Sequence, residues 1–118
     1  MQKELFERLA KKIEEKQMLF TPKFTEDLKF CPSLQDLYQG FVKIRTAFRC
    51  KLTDKITAYF FHLRNRYCES SYKAVFVIDN MEVDHFETED FELFRPIFMT
   101  FNNQLYEIEK ELEDFIRS

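Results

Sequence analysis

Apolar positions in this chain recur mostly three and four residues apart, the spacing of one face of an α-helix. Near the N-terminus, Leu5, Phe6, Leu9, Ile13 and Met18 follow it over about residues 2–18. Glu4, Glu7, Glu14 and Glu15 interleave there with Lys3, Arg8, Lys11, Lys12 and Lys16, a solvated face with supporting i,i+4 pairs. Thr21-Pro22 closes this helix. A connector to Pro32 follows, with Phe24, Leu28 and Phe30 as expected buried anchors. Ser33 is a plausible N-cap for a second helical run. Its stripe includes Leu34, Leu37, Tyr38, Phe41, Ile44, Phe48, Leu52, Ile56, Tyr59, Phe60, Leu63 and Tyr67, and it reaches about Cys68. Thr53-Asp54 is the expected break, since both residues favour caps over helix interiors.

From Tyr72 to Ile78 the composition turns aromatic and β-branched, as in a strand. Asp79-Asn80 suits a two-residue turn, and Met81 to Phe86 fits a returning strand. The same residues also fit a helix through Ala74, Val77, Ile78 and Met81. After Thr88 comes the most regular pattern in the chain. Phe91, Phe94, Phe98, Phe101, Leu105, Ile108, Leu112 and Phe115 alternate three- and four-residue steps, an a/d seam. Pro96 lies off the seam, so either a helix starts there or one helix kinks there. The expected fold is therefore mainly α: a helical bundle with two or three long helices and at most one small β-hairpin at residues 72–86.

Composition supports a packed domain. The chain has 118 residues, 45% of them hydrophobic and 15 of them Phe, which suits a single domain over residues 1–118. Its single glycine, Gly40, argues against a hairpin-rich all-β fold and against a glycine-rich phosphate loop. Cys31, Cys50 and Cys68 are odd in number and widely spaced, which is neither a disulfide framework nor a zinc motif. With no apolar leader at the start and no uncharged stretch of membrane-spanning length, the expectation is a cytoplasmic protein without a membrane role.

Charge is sorted along the chain. Residues 1–42 are net neutral, residues 43–73 carry +6 and residues 74–118 carry −9. Three readings of this asymmetry compete. In the first, the basic and acidic segments neutralise each other within a chain or across a homodimer, with stripe-edge arginines setting the register. In the second, Asp79, Glu82, Asp84, Glu87, Glu89, Asp90 and Glu92 form an acidic surface for a protein partner with a basic surface. That physics fits a stoichiometric inhibitor or immunity-type protein, such as a blocker of a nuclease toxin or a phage-encoded blocker of a nucleic-acid-binding defence protein. In the third, Arg45, Arg49, Lys51, Lys55, Arg64 and Arg66 lie on a basic helix that contacts nucleic acid. Their spread around that helix and the acidic net charge of −3 weigh against it.

Catalytic and cofactor motifs are missing. His62 and His85 have too few neighbouring ligands of the right type for a metal site. Cys68 follows Arg64 and Arg66 with His62 six residues back, which is short-range coincidence rather than a nucleophile and its base. The Arg64-Asn65 pair lacks the downstream His that some helical RNases use. The expectation is a non-enzyme without cofactor. Phe60 and Phe61 cannot share one helix face, so Phe61 is expected to point outward toward a subunit contact.

Overall fold

The computed structural model describes residues 1–22 and 42–118. The anchors expected at Phe24, Leu28 and Phe30, and the start of the second helical run at Ser33, lie outside them. The described elements are α1 (Lys3–Lys16), β1 (Phe20–Pro22), β2 (Val42–Lys51), β3 (Ile56–Asn65), β4 (Ser70–Ile78), β5 (Met81–Thr88) and α2 (Phe91–Arg117). The five strands form one antiparallel sheet in the order β1-β2-β3-β4-β5. This is an α/β fold, and it overturns the expected helical bundle.

The long helix expected across residues 33–68 is, from Val42 onward, a pair of strands. Two features disguised them. First, β3 is a central strand buried on both faces. Ala58, Tyr59, Phe60 and Phe61 are consecutive buried residues, so the period-two alternation that marks a half-buried strand is erased. Second, a bulge at Arg45 shifts the face that β2 presents, which breaks its alternation as well. The expected helix break at Thr53-Asp54 is instead the β2–β3 turn. There the Thr53 hydroxyl accepts hydrogen bonds from the backbone N–H of Lys55 at 3.1 Å and of Ile56 at 3.0 Å. Such a hydroxyl-to-backbone bond supplies a turn without glycine.

The hairpin expected over residues 72–86 is present as β4 and β5, built into the sheet rather than appended to helices. Asp79 and Asn80 turn the chain with φ of 51° and 62°. Positive φ at both central residues matches the right-handed strand twist, and Asp and Asn tolerate it best after glycine. This explains how a chain with one glycine makes a meander.

Both helices pack on one face of the sheet. Phe6, Ala10 and Ile13 of α1 and Phe94, Ile97, Phe98 and Phe101 of α2 close over Phe48, Cys50, Ala58, Phe60, Ala74 and Phe76. Phe48 and Phe101 stack with ring centroids 4.0 Å apart, and Phe6 and Phe86 at 4.4 Å. Gln104 ties the end of α1 to α2. Its amide donates to the Met18 carbonyl at 2.7 Å, and its carbonyl accepts from Phe20 N–H at 3.0 Å. The opposite sheet face buries Tyr59, Phe61, Leu63, Val75 and Val77. Phe61 is therefore fully buried sheet core, not the outward subunit contact expected from a helix. Pro96 sits inside α2 without ending it. It removes the N–H that would reach the Glu92 carbonyl, so α2 lacks one backbone hydrogen bond in its second turn.

Candidate functional site

Three surfaces carry unusual chemistry: the acidic edge, the far half of α2, and a cationic cluster at one end of the sheet.

The acidic run lies along β5, an edge strand among the described residues, and into the start of α2. Most of it has structural work. Asp84 binds the N-terminal ammonium at 2.9 Å, and that hydrogen bond holds its carboxyl below the usual carboxylate range. Glu82 lies 3.5 Å from His85 Nδ1 with its side chain largely buried. Glu87 reaches Lys73, a buried amine, at 3.7 Å. Asp90 caps α2 by accepting from Glu92 N–H at 3.0 Å, and Glu92 lies 3.9 Å from Arg95. Asp79 is the exposed turn residue and Glu89 is exposed beside the cap. The seven carboxylates therefore line one edge but do not converge on one point. Charge on an edge strand also prevents unwanted sheet pairing, a role that needs no partner.

The second surface lies on a seam whose sequence pattern reads as core. The a/d seam runs through all of α2, but the core uses only its first half. Phe94, Phe98 and Phe101 are buried, whereas Ile108, Leu112, Phe115 and Ile116 are 61%, 57%, 77% and 72% exposed. A helix of 27 residues is about 40 Å long, and its last third extends past the body. At about 100° per residue, Ile108, Leu112, Phe115 and Ile116 fall on one stripe. Glu109 and Glu113 flank it on one side, and Glu107, Glu111 and Asp114 on the other. The two cations of this segment, Lys110 and Arg117, fall on the opposite face, where Arg117 pairs with Glu113 at 2.5 Å. The sequence signal was the seam itself. What it could not show was where the protein core stops.

The basic residues expected to share a helix are separated by the strands. Lys51 and Lys55 flank the β2–β3 turn, and Arg49 stands opposite Tyr59 on the face away from the helices. Arg66 lies over the Tyr67 ring at 5.2 Å in the β3–β4 turn. At that same end of the sheet two cross-strand rows form on the helix-bearing face. Lys43, Arg64 and Ser70 make one row; Thr46, His62 and Tyr72 make the next. His62 Nε2 lies 2.9 Å from the Ser70 hydroxyl, and its ring stacks on Tyr72 at 4.9 Å. Burial, and then the positive charge of Arg64 and Arg45, push the His62 pKa below the ordinary imidazole value. Arg45, at the bulge, Arg64 and Lys43 thus gather three cations around the His62 ring.

Among the described residues no group of three His, Cys, Asp or Glu side chains is placed to hold a metal ion. No helix among them is long and apolar enough to cross a membrane. An open apolar groove of about 420 Å³ lies beside α1, lined by Leu5, Leu9, Leu52, Ile56, Phe76 and Val83, with the charged Arg8, Lys12 and Asp84 also at it. No protein-family model, curated protein or solved structure matches the chain.

Proposed function

We propose that this chain is a stoichiometric protein-binding module that receives a basic, amphipathic segment of its partner along the far half of α2. The observation that carries the reading is the exposed stripe Ile108, Leu112, Phe115 and Ile116. These residues continue a seam whose first half is already core. Contiguous apolar side chains held out on a preformed helix lose little order on docking and gain the burial of several large groups. Acidic residues on both flanks select a partner with Lys or Arg beside its own apolar stripe. An inhibitor or immunity-type role fits this physics, because stoichiometric capture needs a rigid surface and no catalytic group.

A synthetic amphipathic helix of Leu and Lys is the probe. Residue-resolved NMR titration at low salt is expected to move the signals of Ile108, Leu112 and Phe115, with affinity falling as salt rises. The double variant Leu112→Ser, Phe115→Ser is expected to abolish the response while the sheet signals stay in place. Equal binding by that variant would refute the proposal.

Self-association is the second reading, favoured by the apolar groove rimmed by Arg8 and Lys12. That rim is complementary in sign to the flanks of the α2 stripe, whereas two α2 tails would oppose acid to acid. Sedimentation of Arg8→Glu, Lys12→Glu against the parent chain tests it. A concentration-dependent dimer abolished by this change supports the reading, and a monomer at every concentration refutes it.

A further inference from the structure

We infer that the end of the sheet formed by Lys43, Arg45, His62, Arg64 and Ser70 is a binding site for the phosphate group of a small ligand. The cluster is unfavourable as it stands. Lys43 and Arg64 are direct cross-strand partners, and like charges directly opposite each other destabilise a sheet. Lys43, Arg45 and Arg64 have no carboxylate partner among the described residues, although the neighbouring acidic edge could have supplied one. The Arg64 Nε is buried without a hydrogen bond, and a buried donor left unmade carries a desolvation penalty. A dianion against this row would relieve both problems at once. It would accept from the Arg64 and Arg45 guanidinium groups, from Lys43 Nζ and from the Ser70 hydroxyl.

The surroundings limit the ligand to something small. The stacked His62 and Tyr72 rings close one side, with Phe91 packed on Tyr72 at 5.2 Å. Asp90, whose carboxylate caps α2, and the exposed Glu89 stand at the adjoining end of β5 and oppose a longer polyanion. Lys51 and Lys55 are at the far end of ten-residue strands, roughly 30 Å away. Among the described residues no continuous basic track links the two ends, as a nucleic-acid strand would need. A phosphate monoester or free phosphate meets the constraint.

Bound dianion and protonated His62 favour each other, so affinity rises as pH falls. Sulfate is the probe for this coupling, because its charge stays constant between about pH 5 and pH 8, where imidazole titrates. Inorganic phosphate and a single-stranded oligonucleotide complete the set. NMR titration with sulfate at constant ionic strength is expected to shift the His62 ring and the Arg64 and Ser70 amides, and to raise the His62 pKa. Arg64→Gln is expected to weaken phosphate binding at least about tenfold. Arg45→Gln, at an exposed position, should weaken it in the same direction and guards against misfolding of the first variant. Glu87→Gln, on the opposite face, should leave it unchanged. Shifts reproduced by chloride, or binding unaffected by either arginine change, would overturn the site. An oligonucleotide bound far more tightly than phosphate at the same residues would overturn its assignment to a small ligand.

Discussion

Two phenylalanines separated by most of a domain make a stringent test of the sheet. Phe61 is fully buried between Tyr59, Leu63, Val75 and Val77, and its cross-strand partners are Ala47 and Lys73. Phe115 is 77% exposed on the far half of α2. The same substitution, Phe→Ala, should therefore have opposite consequences. Truncating a buried Phe removes its transfer free energy and leaves a cavity in a rigid two-sided sheet, a loss of about 3–5 kcal/mol. A domain of this size is stable by about 5–15 kcal/mol, so Phe61→Ala removes a large share of the total. With a urea dependence of about 2 kcal/mol/M, the midpoint falls by about 2 M. Phe115→Ala should change stability by no more than about 0.5 kcal/mol, a shift of roughly 0.25 M. Equilibrium urea unfolding of both variants, followed by far-ultraviolet circular dichroism, measures the contrast. A small, equal shift for both would refute the reasoning, since it would place Phe61 at the surface as a helix through residues 56–65 would.

Two further predictions rest on titratable groups. The folded-state pKa of His62 is lowered, first by burial and then by Arg64 and Arg45, so the unfolded chain binds its proton more readily. Stability is then complete above about pH 6.5, the unfolded value, and declines as pH falls below it; the slope should flatten in His62→Gln, and an unchanged slope would remove His62 as its source. Burial pushes the Cys50 thiol up to about 11, while Cys68 is exposed in the β3–β4 turn. Iodoacetamide at neutral pH, read site by site in a mass spectrometer, should label Cys68 readily and Cys50 only on unfolding.

Local signals were read most faithfully where one face of an element is buried and the other is wet. The α1 pattern, β5 and the α2 seam meet that condition; β4, whose residues from Lys73 to Val77 are all buried, is legible instead from its aromatic and β-branched composition and from the Asp79-Asn80 turn. The strand β3 is likewise buried on both faces, and a bulge breaks the alternation of β2. A strand buried on both faces shows a continuous apolar run, and residues such as Phe48, Leu52, Ile56 and Phe60 happened to repeat at four-residue intervals. Nothing local distinguishes such a run from a helix. The burial of Phe61 is hidden in the sequence for the same reason.

Charge behaves similarly. Its sorting into a +6 middle and a −9 C-terminal third is a property of the sequence alone. Which charges meet is not. Extended strands carry Lys51 and Lys55 to one end of the sheet and Lys43, Arg45 and Arg64 to the other, whereas a helix would have held them within a shorter span. The helical patterns of α1 and α2, the strand-like composition and turn residues of 72–86 and the supply of charge are legible in the sequence, because these depend on neighbours within a few residues. Only the tertiary structure decided that Phe61 is core, that Arg64 faces Lys43 and that the α2 seam outlasts the body it packs against. Each of those facts depends on cross-strand register or on where the core ends, and both are set by residues distant in the chain.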